Sequence, residues 1–283
     1  MKHFESSWIT KDGLETYFQG WEPDKPPQAV ICLVHGLGEH SSRYSHVADH
    51  LAAAGFAVIA LDLRGHGKSA GARGHITSID NFLDDIDRLL KEAEDRYPGK
   101  ARFLYGHSLG GFLVLLYTLK RQPLLAGVVS TSPGLRSPLE KQTLKIAFSR
   151  SLAILLPNLT IPSGLNAADI SRDPQVVRIY QNDPLVHDRA SLAFVKALFD
   201  AIPWTFQHAP EFKPPLLLFH GTMDNITLPS GSQEFANLVP GDCTLKLWDG
   251  LYHETHNEPE KEQVLGFLID WLQSKLRLYQ AGI

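Results

Sequence analysis

Short, unbroken apolar runs recur along the chain, and longer stretches between them carry apolar residues every three or four positions. The first pattern is that of strands buried on both faces, the second that of helices with one apolar side. The apolar runs are Ala29 to Val34, then residues 56–63, 102–105, 125–130, 216–219 and 244–248. The helical stretches are residues 43–54, closed by Gly55, then 79–96, 110–121, 230–239 and 258–279. Over 79–96, Ile79, Phe82, Leu83, Ile86, Leu89 and Leu90 keep helical spacing until Tyr97, Pro98 and Gly99 stop it. Val264, Leu265, Phe267, Leu268, Trp271 and Leu272 form the corresponding face of the last helix. Near the start, residues 7–10 and 16–21 read as strands around Lys11, Asp12 and Gly13, a hairpin signal, and a proline-rich connector follows at 22–27.

Strands alternating with helices predict an α/β fold built on a doubly wound, mostly parallel sheet. Residues 133–215 break the alternation. They hold a mostly apolar stretch at 146–156, interruptions at Pro157, Pro162 and Gly164, and short helices at 173–180 and 189–201. This region reads as a helical cap inserted over the sheet. The predicted organisation is a core of residues 1–132 and 216–283, divided by a cap of residues 133–215.

At 283 residues the chain can bury a large core without disulfides. Its two cysteines, Cys32 and Cys243, read as ordinary thiols, and nothing has metal-site spacing. A net charge of −4 supplies no basic field for nucleic acid. The first residues lack an apolar signal core, and no run approaches the roughly 18–20 residues of a membrane span. The expectation is a soluble, cytoplasmic protein.

Against this background one turn stands out. Gly106-His107-Ser108-Leu109-Gly110 is a G-x-S-x-G sequence between an apolar strand and an apolar helix. That context is the one in which a strained turn exposes a serine nucleophile above a sheet. A serine needs a base, and the base needs an orienting acid. Asp224 follows the 216–219 strand and His253 follows the last strand, in the chain order Ser, Asp, His. His256 is the rival base, and Asp242 and Asp249 are rival acids, but none shares that placement. The amides of Leu109 and Leu37, after the elbow and the first buried strand, are the candidate oxyanion donors. Glu39 and Arg43 suit either a polar substrate head or a salt bridge, and His107 either packing or substrate contact. The glycine-rich loop from Asp62 to Ser69 lacks phosphate-loop spacing and reads as structural, with Arg64 buttressing the sheet edge.

These segments carry a resemblance. His35-Gly-Leu-Gly-Glu-His-Ser-Ser-Arg-Tyr44, Gly106-His-Ser-Leu-Gly-Gly111, Tyr180-Gln-Asn-Asp-Pro-Leu185, Leu218-Phe-His-Gly-Thr-Met-Asp224 and Tyr252-His253 resemble segments of the monoacylglycerol lipases. Those enzymes are serine hydrolases of the α/β-hydrolase fold, and the likeness extends over nearly the whole chain. It implies Ser108, Asp224 and His253 as the triad and the Leu37 and Leu109 amides as the oxyanion hole. It implies Glu39, Arg43, His107 and Tyr180 near the glycerol end of the site. It further implies cleavage of monoacylglycerol through an acyl-enzyme, with no metal or cofactor and no obligate protein partner. The apolar cap would touch membranes or lipid aggregates. A lysophospholipase or a general short-chain carboxylesterase would use the same triad. Two positions depart from the family: Thr227 stands where animal members carry a cysteine, and Leu37 is larger than the usual alanine.

Overall fold

The apolar runs become the middle of an eight-stranded sheet. A computed structural model describes residues 1–141 and 152–282. Its strands are β1 (Lys2–Ile9), β2 (Glu15–Glu22), β3 (Ala29–Val34), β4 (Phe56–Leu61), β5 (Ala101–His107), β6 (Gly127–Thr131), β7 (Thr160–Pro162), β8 (Arg189–Ser191), β9 (Leu216–Gly221) and β10 (Cys243–Trp248). The main sheet runs β1-β2-β4-β3-β5-β6-β9-β10. The β1–β2 and β2–β4 pairings are antiparallel, and every later pairing is parallel.

Helices cover both faces, which is why β3 and β4 are apolar at every position. These helices are α1 (Ser45–Ala53), α2 (Ile79–Arg96), α3 (Leu109–Arg121), α4 (Pro174–Asn182), α5 (Leu192–His208), α6 (Pro229–Leu238) and α7 (Lys261–Ala281). Successive strand residues point to opposite faces. Val30, Cys32 and Val34 of β3 therefore join α2, α3 and Phe235 of α6 in one core. Ala29, Ile31 and Leu33 join α1 and α7 in the other. The α3 helix is buried along almost its full length. Each of its Leu and Phe side chains contributes about 1.5–3 kcal/mol by leaving water.

Several boundaries differ from the sequence expectations. β1 begins at Lys2, not at residue 7, because its polar residues pair along an exposed sheet edge. A 3₁₀ turn at Ser41–Tyr44 precedes α1. β4 ends at Leu61, since Leu63 already belongs to the following turn. Residues 189–191, expected as the start of a helix, pair instead with β7 in a separate small sheet. The following helix, α5, runs past Ala201 and keeps Pro203 inside it. The last helix starts at Lys261, three residues later than the hydrophobic pattern suggested.

Between β6 and β9 the chain leaves the main sheet and forms β7, β8, α4 and α5. Residues 146–151 of the predicted apolar stretch lie outside the described residues. Beyond them, Ile154 and Leu155 are 74% and 77% exposed. Several contacts dock this part of the chain near the C-terminal ends of the parallel strands. Among them, the His187 amide donates to the Gly38 carbonyl at 2.9 Å, and His40 Nε2 meets Asp183 Oδ2 at 2.9 Å.

Candidate active site

Ser108 sits between β5 and α3 with φ 54° and ψ −114°. For a serine that conformation costs about 1–3 kcal/mol, and the surrounding structure must impose it. The flanking glycines explain how it is held. A Cβ on Gly106 would lie 2.2 Å from the Gly110 carbonyl oxygen, and one on Gly110 would lie 2.1 Å from that of Val34. Only glycine lets the turn press this closely on β3 and on itself. The Ser108 amide donates to the Thr131 carbonyl at 2.9 Å, and its carbonyl accepts from the Phe112 and Gly134 amides at 3.0 Å each.

His253 Nε2 lies 2.9 Å from Ser108 Oγ, and its Nδ1 lies 2.7 Å from Asp224 Oδ2. Both side chains are buried. The backbone of His253 is fixed by Ser132, whose hydroxyl donates to its carbonyl at 2.8 Å. Asp224 Oδ1 accepts from the amides of Ile226 at 2.8 Å and Thr227 at 3.0 Å. Burial alone would push the Asp224 carboxyl up, but the His253 and His220 imidazoles beside it hold it well below the usual carboxylate range. Burial would likewise lower His253, yet the Asp224 carboxylate overrides it and raises the imidazole above its ordinary value. The His107 ring lies 4.8 Å from that of His253, tilted by 54°, and its Nδ1 bonds Thr131 Oγ1 at 2.9 Å. Burial, reinforced by His253, holds His107 far below the usual histidine range, so it stays neutral.

The rival residues are elsewhere engaged. Asp249 accepts from Thr222 at 3.2 Å and Asp242 from Lys275 at 2.6 Å. His256 is buried against Tyr44, with ring centroids 4.9 Å apart.

The Leu109 amide opens α3, where the first amides of a helix have no carbonyl of their own turn to bond. Leu37 lines a small cavity beside Ser108, together with Glu39, His107, Tyr180 and His253. Arg43 stands behind it. Its guanidinium grips Glu254 through two bonds of 2.6 and 2.7 Å and reaches Glu39 at 2.5 Å. Glu39 in turn accepts from the Gly36 amide at 2.6 Å and the Tyr44 hydroxyl at 2.7 Å. Arg43 thus ties the loop after β3 to the loop that carries His253. The Tyr180 ring caps it at 4.7 Å. Glu39 and Arg43 form the salt bridge, and Glu39 also lines the cavity.

The Asp62 loop is structural in its contacts. Asp62 Oδ1 accepts from Ser41 at 2.6 and 2.7 Å, and Arg64 is paired with Asp85 at 2.7 Å and Asp12 at 2.7 Å. Glu254 and His220 were not singled out from sequence. The adjacency of Glu254 to His253 was the only available signal for it. Among the described residues no group of three or more His, Cys, Asp or Glu could hold a metal ion. No helix among them is long and apolar enough to cross a membrane.

A family model described as Hydrolase_4, serine aminopeptidase S33, matches residues 25–260. The chain belongs to the Hydrolase_4 family. It is 35% identical to a monoacylglycerol lipase of Mycolicibacterium smegmatis, over 96% of this chain and 98% of that one. It is 39% identical to an abhydrolase domain-containing protein of Dictyostelium discoideum over 96% of its own length, but spans only 29% of that protein. The crystal structure of a monoacylglycerol lipase from Paleococcus ferrophilus superposes with a TM-score of 0.83 at 36% identity, covering 97% of this chain and 100% of that one. The sheet and its flanking helices in this Hydrolase_4 member are those of the α/β-hydrolase fold.

Proposed function

We propose that this protein hydrolyses monoacylglycerols to glycerol and free fatty acid, with Ser108 as nucleophile, His253 as base and Asp224 as orienting acid. The observation that carries this reading is the unbroken line from Ser108 Oγ through His253 to Asp224, at 2.9 and 2.7 Å. Ser108 attacks the ester carbonyl as His253 takes its proton. The Leu37 and Leu109 amides receive the oxyanion. His253 then protonates the departing glycerol oxygen. Water, activated by the same imidazole, attacks the acyl-enzyme and releases the acid. Throughout, Asp224 keeps the proton on Nδ1 and balances the imidazolium charge.

The head group follows from charge. Arg43, which reaches the cavity-lining Glu39 and Glu254, is spent on those two carboxylates. An anionic phosphate would face those carboxylates without a free partner, and an α-ammonium group would find them already neutralised. A neutral polyol suits such a rim, with Glu39, His107 and Tyr180 as the head-group contacts and Arg43 as their brace. The cavity is about 10 Å³, room for about one water molecule. An ester therefore enters as Leu165 and Ile170, which line it, move aside. Both belong to residues 133–215, which we assign as the cap between the two parts of the core.

Ile154, Leu155, Leu156 and Leu159 are large, apolar and exposed on the same cap. We assign them to peripheral contact with lipid surfaces. Liposome co-sedimentation left unchanged by serine at Ile154 and Leu155 would remove that assignment. The substrate reading is tested by comparing kcat/KM on monoacylglycerols, diacylglycerols, lysophosphatidylcholine, p-nitrophenyl butyrate and an aminoacyl p-nitroanilide. Monoacylglycerol should lead. A higher value for the lysophospholipid would overturn the head-group argument, and activity confined to the short ester would make this a general carboxylesterase.

A further inference from the structure

Asp224 holds two imidazoles, and the mechanism above uses one. His220, in β9, is fully buried, with Nε2 2.9 Å from Asp224 Oδ2. Its Nδ1 lies 2.8 Å from the hydroxyl of Ser232, in α6. The carboxylate is ionised and can only accept, so the His220 proton sits on Nε2. In the neutral ring Nδ1 then accepts from Ser232. The same Asp224 oxygen also receives His253 at 2.7 Å and the Thr227 hydroxyl at 2.9 Å.

We propose that His220 is a positioning residue for ester hydrolysis, locking the Asp224 carboxylate and drawing part of its charge away from His253. The proposal rests on the assignment of Ser108, His253 and Asp224. Geometry supplies the first half: with Oδ1 bound by two backbone amides and Oδ2 by His220, the carboxylate cannot rotate away from His253. Electrostatics supplies the second. A carboxylate that donates density to two imidazoles stabilises each less than it would stabilise one. Loss of the His220 donor would leave Asp224 a stronger partner for imidazolium and make His253 more basic. The other charged or titratable groups around His253 are His107, His256, Glu254 and Glu39. Around Asp224 they are the two imidazoles themselves. Of these groups only His220 itself is altered in a His220 variant.

The test uses His220→Leu, which fills the space without a donor, and His220→Gln, which restores an N–H. Rates are read with p-nitrophenyl butyrate and with a fluorophosphonate, so they do not depend on monoacylglycerol being the natural substrate. For His220→Leu we expect kcat to fall about tenfold, as for loss of one charged hydrogen bond, with KM within about twofold. The acid limb of the kcat/KM profile should move up by about half a pH unit. His220→Gln should recover most of kcat and the original limb. An unmoved limb in His220→Leu, or the same loss in both variants, would overturn the proposal. Should His220→Leu fail to fold, His220→Met, which also fills the space without a donor to Asp224, should move the limb in the same direction; an unmoved limb there overturns it equally. If the wild-type protein does not label at Ser108, the assignment of the triad falls, and this proposal with it. If it labels and the variants behave as wild type, only this proposal falls.

Discussion

Replacing Arg43 by methionine would strand two buried carboxylates behind the site. The side chains of Arg43, Glu39 and Glu254 are 8%, 4% and 3% exposed, so none can recover solvation by turning outward. Glu39 would keep the Gly36 amide and the Tyr44 hydroxyl, whereas Glu254 would keep only the Asn257 side chain at 2.8 Å. Burial raises the Glu254 carboxyl, but Arg43 holds it down to about 2. Removing one partner of a buried ion pair costs about 3–5 kcal/mol, and for a chain of this size that lowers Tm by roughly 10 °C. The pH dependence gives the sharper signature. In the native protein Glu254 ionises more easily when folded than unfolded, so its contribution is present above about pH 4.3 and fades as pH falls toward 2. In Arg43→Met the folded carboxyl would instead lie above its unfolded value. Its penalty would be full at pH 8 and relieved as acid protonates it. Urea unfolding of both proteins at pH 8 and pH 5 should therefore show a deficit that shrinks at the lower pH. A deficit below about 1 kcal/mol at pH 8, or an equal one at both pH values, would refute the reasoning.

Two further outcomes follow from the elbow and the base. Gly110→Ala places a methyl 2.1 Å from the Val34 carbonyl oxygen and should destabilise the fold by on the order of 3 kcal/mol, seen as a lower Tm; a Tm within about 2 °C of wild type would contradict the packing argument. Because Asp224 raises His253 and the base must be neutral to act, kcat/KM for an ester should be lost as pH falls through a midpoint above the ordinary histidine value of about 6.5; a midpoint at or below 6 would show that Asp224 does not dominate.

The central strands and α2 were legible in the sequence because both carry dense periodic signals. β3 and α2 lie where the hydrophobic pattern puts them, at Ala29–Val34 and Ile79–Arg96. The start of β1 carries little hydrophobic signal, because Phe4 is the one residue of Lys2 to Ser6 that is even partly buried and the strand is defined there by its pairing with β2. β8 was lost for a different reason: its three residues are defined by pairing with β7, a tertiary fact. Ser108, Asp224 and His253 were nominated by chain order and by position after strands, and the fold brings these three together. The Arg43 brace was harder to read, since Glu254 lies 211 residues away along the chain. His220 looked like the end of an apolar strand. Its bond to Asp224 appears only when the turn after β9 folds back upon it.

Fluorophosphonate labelling followed by peptide mass spectrometry tests the Ser108 assignment most directly. One adduct per chain should appear on the peptide containing Ser108, and Ser108→Ala should lose both the adduct and glycerol release from monoacylglycerol. Labelling at another serine, or undiminished turnover in Ser108→Ala, would show that the chemistry lies elsewhere.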